Sequence, residues 1–280
     1  MIILIGIKMF NVEPRLQWYT AVLKRLRPTT PRLKGFFMGR LFAVVSGKGG
    51  VGKSSISVLL ADELAASGSV LVIDMDAGLR CLDMMFGVSE RLVFDLDDLL
   101  SGVKNLSEVA LMCRGGIALL PAPEHPIEPE KLHEFLLFIT ERYDFVIVDF
   151  PAGRNDGYLL KMPKFCEFLV VCQANPVSLR DAEIIADDIT AGDFLEPRLI
   201  INCFDYRAFK GGAGGKKYTI DDVIDACGTR LLGVVPYDGS AAAMMGGRQL
   251  GPKNRVRKSM GRIASRLLFK NVPLYNLKRL

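Results

Sequence analysis

The stretch Val45-Ser46-Gly47-Lys48-Gly49-Gly50-Val51-Gly52-Lys53-Ser54-Ser55 limits what this chain can fold into more than any other. An apolar run at residues 41–45 precedes it and reads as a buried strand. In residues 56–66, Ile56, Leu59, Leu60, Leu64 and Ala65 recur at roughly helical spacing. The glycines therefore lie where a strand turns into a helix, and Gly47, four residues, Gly52, Lys53 and Ser54 form a P-loop. A phosphate chain must sit against several backbone N–H groups at once. Glycines permit that approach and the positive φ it needs, and the helix N-terminus adds unpaired donors and the positive end of its dipole. On this reading Gly47, Lys48, Gly49, Gly50, Val51, Gly52, Lys53, Ser54 and Ser55 hold the phosphates. Lys53 reaches the β- and γ-phosphates, and the Ser54 hydroxyl completes a Mg2+ shell.

Lys48 lies early in the loop, and Lys48-Gly49-Gly50-Val51-Gly52-Lys53-Ser54 resembles the deviant Walker motif of the MinD/ParA ATPase superfamily. Asp74-Met75-Asp76-Ala77-Gly78-Leu79-Arg80-Cys81-Leu82-Asp83, after an apolar strand at residues 69–73, resembles switch I of the MinD family, with Cys81 where that family has Asn. Residues 143–149 form an apolar strand ending in Asp149, a Walker B arrangement, and Phe150-Pro151-Ala152-Gly153 resembles switch II with a bulkier first residue. Asn175 to Glu183, with Ser178 expected to cap the helix, and the turn Pro236-Tyr237-Asp238 complete the resemblance, which spans about residues 40–269.

The resemblance implies a Mg2+-dependent ATPase that forms a homodimer on binding ATP. Lys48 crosses the dimer interface to the partner's nucleotide and Asp76 orients the attacking water, so these two are the catalytic candidates. Asp74 and Asp149 join Ser54 as metal-site residues, the carboxylates acting through water. Gly153 offers its N–H to the γ-phosphate, and Asn202, Pro236 and Asp238 edge the adenine. The implied role is placement of the division septum. The protein would be cytoplasmic and peripheral on the inner face of the cell membrane, with a MinC-like division inhibitor and a MinE-like or other positioning protein as partners. A ParA-like protein binding DNA non-specifically, a flagellar-number regulator and a scaffold that holds ATP without hydrolysing it are the alternatives. The N-terminal Asp-Gln-Ala motif of the flagellar regulators is absent.

Further strands are expected at residues 117–120, 168–174, 198–203 and 231–235, and helices at 94–100 and 130–139. Continuous apolar strands alternating with helical segments predict an α/β fold, a mostly parallel sheet with helices on both faces. Ligands of such sheets bind at the carboxyl ends of the strands, where the P-loop, Asp76, Asp149 and Asn202 all fall.

Six cysteines without any Cys-x-x-Cys, and only two histidines, give no zinc or iron–sulfur spacing. Cys172 and Cys203 read as small buried hydrophobes in strands. Charge is uneven: residues 1–46 carry eight Lys/Arg and one acid, residues 239–280 ten Lys/Arg and no acid, leaving the middle at net −12. Cationic ends suit an anionic surface, lipid or nucleic acid, or serve solubility. Residues 1–37 include a short basic amphipathic segment ended by Pro28 and Pro31; they are either a genuine extension or an upstream mis-start before Met38. The glycine-rich segment 210–217 reads as a loop. The ATPase domain is expected over 38–270. Its last helix carries Val256, Met260, Ile263, Ala264, Leu267 and Leu268 on one stripe and Arg255, Lys258, Arg262 and Arg266 on another, either as the final core helix with its cations outward or as a membrane-surface helix. The tail 271–280 has the chemistry of a short membrane contact.

Overall fold

The structure, a computed structural model, describes residues 38–206 and 219–276. The readings made for residues 1–37, for the glycine-rich loop at 210–217 and for the last four residues of the tail lie outside these. All absences and counts below concern the described residues.

The first strand, β1 (Arg40–Val45), is buried on both faces, which is why its sequence is apolar without alternation. The P-loop leads into α1 (Lys53–Leu64), and β2 (Val70–Asp74) follows. Next come α2 (Leu82–Phe86), α3 (Leu96–Leu100), α4 (Leu106–Val109) and two short strands, β3 (Leu111–Met112) and β4 (Ala118–Leu120). Helix α5 (Pro129–Thr140) precedes β5 (Phe145–Asp149), and a short α6 (Asp156–Leu159) precedes β6 (Glu167–Cys172). The chain continues through α7 (Pro176–Ala191), β7 (Arg198–Phe204), α8 (Ile220–Cys227), β8 (Arg230–Pro236) and α9 (Arg255–Leu267).

The strands form one sheet in the order β3-β4-β2-β5-β1-β6-β7-β8. Every pair is parallel except β3 with β4. Side chains of β1 alternate between two cores. Leu41, Ala43 and Val45 pack with residues of α5, α7 and α8 on one face, and Phe42 and Val44 with residues of α1, α2 and α9 on the other. The sheet reverses its winding around β1, which lies between β5 and β6. The crevice at the carboxyl ends beside β1 is therefore the expected ligand position, and the P-loop opens there. No helix is long and apolar enough to cross a membrane.

Two local expectations are corrected. Ser178 does not cap α7: Asn175 does, its side chain accepting from the Ser178 N–H at 3.0 Å. Pro176 then occupies the first helical turn, where its missing N–H does no harm, and the Ser178 hydroxyl accepts from the Gln173 N–H at 2.9 Å. Cys203 is exposed, not buried, and has φ 53°. The β7–β8 register shifts between Ile201 and Phe204, and such a bulge turns a residue out of the alternation.

Helix α9 is a core helix, with Val256, Met260, Ile263, Ala264 and Leu267 buried. Arg255, Lys258, Arg262 and Arg266 lie outward, none of them buried, while several arginines of the helix also make contacts within the protein. Arg257 pairs with Glu63 of α1 at 3.0 Å, Arg262 donates to the Pro273 carbonyl at 3.0 Å, and Arg266 to the Leu231 carbonyl at 3.2 Å. The helix lies so close to β8 that a Cβ on Gly233 would meet Ile263 Cγ1 at 2.3 Å, whereas one on Gly239 would meet nothing within 4 Å. Gly233→Ala is expected to destabilise the fold by about 1–3 kcal/mol in urea unfolding through overpacking, with Gly239→Ala near neutral. Equal midpoints for the two variants would show that α9 does not need this close approach.

Candidate nucleotide site

Gly50 has φ 77° and Gly52 φ 89°, a backbone that favours glycine. Gly52 is the N-cap of α1, and no side chain caps the helix, so its first N–H groups are open to an anion. The loop is fastened from outside. A Cβ on Gly47 would lie 2.5 Å from Asp181 Cβ of α7, and one on Gly52 2.3 Å from Asn202 Nδ2. Asn202, buried near the end of β7, donates from Nδ2 to the Val51 carbonyl at 2.7 Å. Ser46 Oγ donates to the Lys48 carbonyl at 3.1 Å. The Lys48 side chain itself is exposed, as are Gly49 and Gly50, while Ser54 and Ser55 are half-buried at the start of α1.

Beneath the loop is a buried charge cluster. Lys53 Nζ sits 3.1 Å from Asp149 Oδ1 and 3.5 Å from Ser54 Oγ. Ser57 Oγ donates to the same Asp149 oxygen at 2.8 Å. Asp149 is wholly buried, yet its Oδ2 has no hydrogen-bond partner. Asp74 faces Asp149 in the β2–β5 register. Its carboxylate accepts from the N–H groups of Asp76 at 2.9 Å and Leu82 at 3.4 Å. Burial first, then the charge of Asp149, pushes the Asp74 carboxyl up to about 7.

A buried carboxylate oxygen left unpaired is costly. Beside a second carboxylate and a hydroxyl, it matches the hard oxygen donors that Mg2+ prefers. Asp149, Asp74 and Ser54 therefore fit the metal, directly or through its waters. Asp76 is half-exposed at the rim and accepts from the Leu79 N–H at 3.2 Å. Cys81 is half-buried nearby; burial raises its thiol, and a hydrogen bond with Ser54 partly offsets this.

Switch II is placed as a continuation of β5. Phe150 is fully buried, its ring 6.2 Å from that of Tyr158, so the bulky residue is part of the core and not of the crevice. Gly153 has φ 107°, and its N–H donates to the Ser46 carbonyl at 2.9 Å. In this conformation that donor is engaged within the protein and is not presented to a phosphate.

Pro236 is buried at the end of β8. Asp238 caps the following 3-10 turn, accepting from the Ser240 N–H at 3.0 Å and the Ser240 hydroxyl at 2.7 Å. The Ser240 hydroxyl holds its carboxyl below the usual range, with Arg255 adding to the effect. Beside it a cavity of about 280 Å3, lined by Phe204, Tyr206, Tyr237 and Arg255 among others, opens at the carboxyl ends of β7 and β8. The structure thus gathers Lys53, Ser54, Asp74 and Asp149 into one cluster and sets Asn202 against the loop, with Asp238 on a separate neighbouring cavity. Ser57 escaped the sequence reading; its spacing of four from Lys53, on the same face of α1, was the available signal.

The parallel sheet, the uncapped helix behind the glycine loop and the buried Lys53–Asp149 pair define a P-loop nucleotide-binding protein of the α/β class. Residues 38–189 match the ParA family described as NUBPL iron-transfer P-loop NTPase. The septum site-determining protein MinD of Bacillus subtilis is 30% identical over 253 residues, covering 86% of this chain and 93% of that protein. The Aquifex aeolicus MinC:MinD cell division protein complex superposes with TM-score 0.77 at 27% identity, over 85% of this chain and 99% of that one. Pyrococcus horikoshii MinD complexed with Mg-ADP shares the fold, with TM-score 0.71 at 23% identity over 82% of this chain and 96% of that one. The chain belongs to the MinD family of ParA-type P-loop NTPases.

The raised Asp74 carboxyl makes stability depend on pH. Its folded value of about 7 lies above its ordinary 3.8, so the folded state binds the proton more tightly. The nucleotide-free protein should therefore lose stability as pH rises between these values, and change no further from this group above them. Thermal unfolding compared at about pH 5 and about pH 8 should show a smaller loss for Asp74→Asn than for the natural protein. Equal losses would mean that Asp74 is already ionised at the lower pH.

Proposed function

We propose that this protein is a Mg2+-dependent ATPase that dimerises on binding ATP, attaches to the inner face of the cell membrane and places the division septum by recruiting a MinC-like inhibitor, with hydrolysis releasing it. The unpartnered Asp149 Oδ2 beneath an uncapped P-loop helix is the observation that carries the nucleotide part of this reading. The B. subtilis relative, named as a septum site-determining protein, and the Aquifex complex with MinC support the cellular part.

Lys53, held on Asp149 at 3.1 Å, would turn toward the β- and γ-phosphates. Asp149 would help to hold the metal, with Ser57 donating to its Oδ1. Ser54 would offer its hydroxyl to the metal, and the Asp74 carboxylate would join it in holding the ion. When bound, Mg2+ neutralises charge that builds on the phosphates. The Gly153 N–H leaves the Ser46 carbonyl to meet the γ-phosphate, so switch II senses whether that group is present. Asp76, at the rim, orients the attacking water. The exposed Lys48 of each subunit completes the other's site, which makes dimerisation depend on nucleotide. A MinE-like or other positioning protein would control where release occurs.

Lys53→Ala is expected to abolish ATP binding in calorimetry while retaining a folded circular dichroism spectrum; unchanged affinity would remove the phosphate-loop assignment. Asp76→Ala should hold ATP as a persistent dimer with phosphate release reduced by about 100-fold or more, and Lys48→Ala should remain monomeric with ATP bound. Normal turnover in the first variant, or normal dimerisation in the second, contradicts those roles.

Co-sedimentation separates membrane from nucleic acid. With ATP, anionic liposomes should pellet the protein and duplex DNA should not. ATP-dependent DNA pelleting that falls steeply with salt would instead favour a DNA-partitioning protein.

A further inference from the structure

A cavity of about 510 Å3 opens at the opposite end of the sheet from the P-loop. Its walls are the first residues of β6, β7 and β8 and the segment after α9. In the parallel register, Arg198 lies beside Arg230 at this edge. With Arg266 and Lys270 they give the cavity four cationic side chains. Its carboxylates are Glu167 and Glu196. Glu167 is already taken by a two-pronged contact from Arg40 and by Arg198 at 3.3 Å. Glu196 reaches Arg230 only at 3.9 Å, and the Arg230 side chain is 79% exposed. The cavity is therefore left with excess positive charge.

Apolar surface adjoins that charge. Leu232 is buried in the wall, and Leu195 and Phe269 are exposed at the rim. Phe269 has φ 58°, a conformation rare for a bulky aromatic residue. It is held there by the Phe269 N–H donating to the Arg266 carbonyl at 3.1 Å, and by the Arg40 guanidinium 4.8 Å from its ring. The Lys270 N–H also donates to the Ser265 carbonyl at 3.0 Å, so Phe269 is the left-handed residue that ends α9, and its ring is left exposed beside the cavity. The volume lies within the roughly 300–1,000 Å3 of small-molecule pockets.

We propose that this cavity binds a small amphiphilic anion, a phosphate monoester or carboxylate carried on a short apolar body, with Arg230 and Lys270 meeting the anion and Leu195, Leu232 and Phe269 the apolar part. Guanidinium forks suit both headgroups, and neither head nor body alone would satisfy both halves of the lining. The site is independent of nucleotide binding and of the role proposed above.

Calorimetric titration of the full chain with hexyl phosphate tests it, with hexanoate, inorganic phosphate and hexanol as comparison ligands. Hexyl phosphate should bind with submillimolar affinity, at least about tenfold tighter than inorganic phosphate or hexanol; its ratio to hexanoate identifies which headgroup is preferred. Arg230→Glu combined with Lys270→Glu changes two exposed side chains and should weaken binding at least about tenfold with unchanged melting. Glu196→Gln, which frees Arg230, should strengthen it about threefold. Lys53→Ala should bind as the natural protein does. No binding by about 5 mM, hexanol equal to hexyl phosphate, inorganic phosphate equal to hexyl phosphate, or indifference to the double charge reversal would overturn the proposal.

Discussion

The buried pair of Lys53 and Asp149 organises the ligand end of this protein. A lysine and a carboxylate brought out of water need each other, and removing one partner leaves an uncompensated charge. The two residues come from elements far apart in sequence, the first turn of α1 and the last position of β5. Their contact, with Ser57 on the same carboxylate oxygen, fixes the helix over the sheet at the point where the winding reverses. The other carboxylate oxygen remains without a partner, and Asp74 stands beside it on the next strand. Placing two acids side by side in a dry site raises the carboxyl of Asp74 and makes a cation the natural third component. The fold thus holds an electrostatic deficit at the place where a phosphate chain and its metal would lie.

Much of this was legible because the chemistry writes itself into residue types. Apolar runs without alternation announce strands covered on both faces, and β1, β2, β5, β6, β7 and β8 were all expected near where they lie. Asp74 and Asp149 were visible as acids ending apolar strands, and glycines with positive φ at 50 and 52 follow from the loop motif. Of the short elements, α3 and β4 were expected at 94–100 and 117–120, but β3 and α2 were not legible. β3 has two residues and α2 has five, too few for any periodicity to rise above chance. Contacts between distant segments also left no trace: nothing near Asn202 shows that its amide grips Val51, and nothing near Gly153 shows that its N–H is spoken for by Ser46. Cys203 was misread because a bulge depends on the pairing of two strands, not on the residues of one. The partners of the α9 arginines were not legible, because arginines that reach backbone carbonyls or Glu63 look the same in sequence as arginines facing water.

Two departures from the MinD-family pattern have different physical consequences. Phe150 stands where the family pattern has a smaller residue, but it turns into the core against Tyr158, so the added bulk goes into packing. Cys81 remains beside Ser54 and the two carboxylates. A thiol there is a weaker hydrogen-bonding partner than an amide, leaving the serine hydroxyl with fewer competing claims. The family description that matches residues 38–189 concerns iron transfer. This chain has no Cys-x-x-Cys with which to hold a cluster, and relatives matched over most of its length include septum site-determining proteins.

Asn202 links properties that are usually thought of separately. Its amide nitrogen holds the Val51 carbonyl at 2.7 Å and stands where a Cβ on Gly52 would have to be. Replacing this asparagine would release the Val51 carbonyl and open space behind Gly52, so a change in the strand would be felt in the loop. Strand and loop are tied to change as a pair, since a larger residue at 52 and a smaller one at 202 would each have to answer the other.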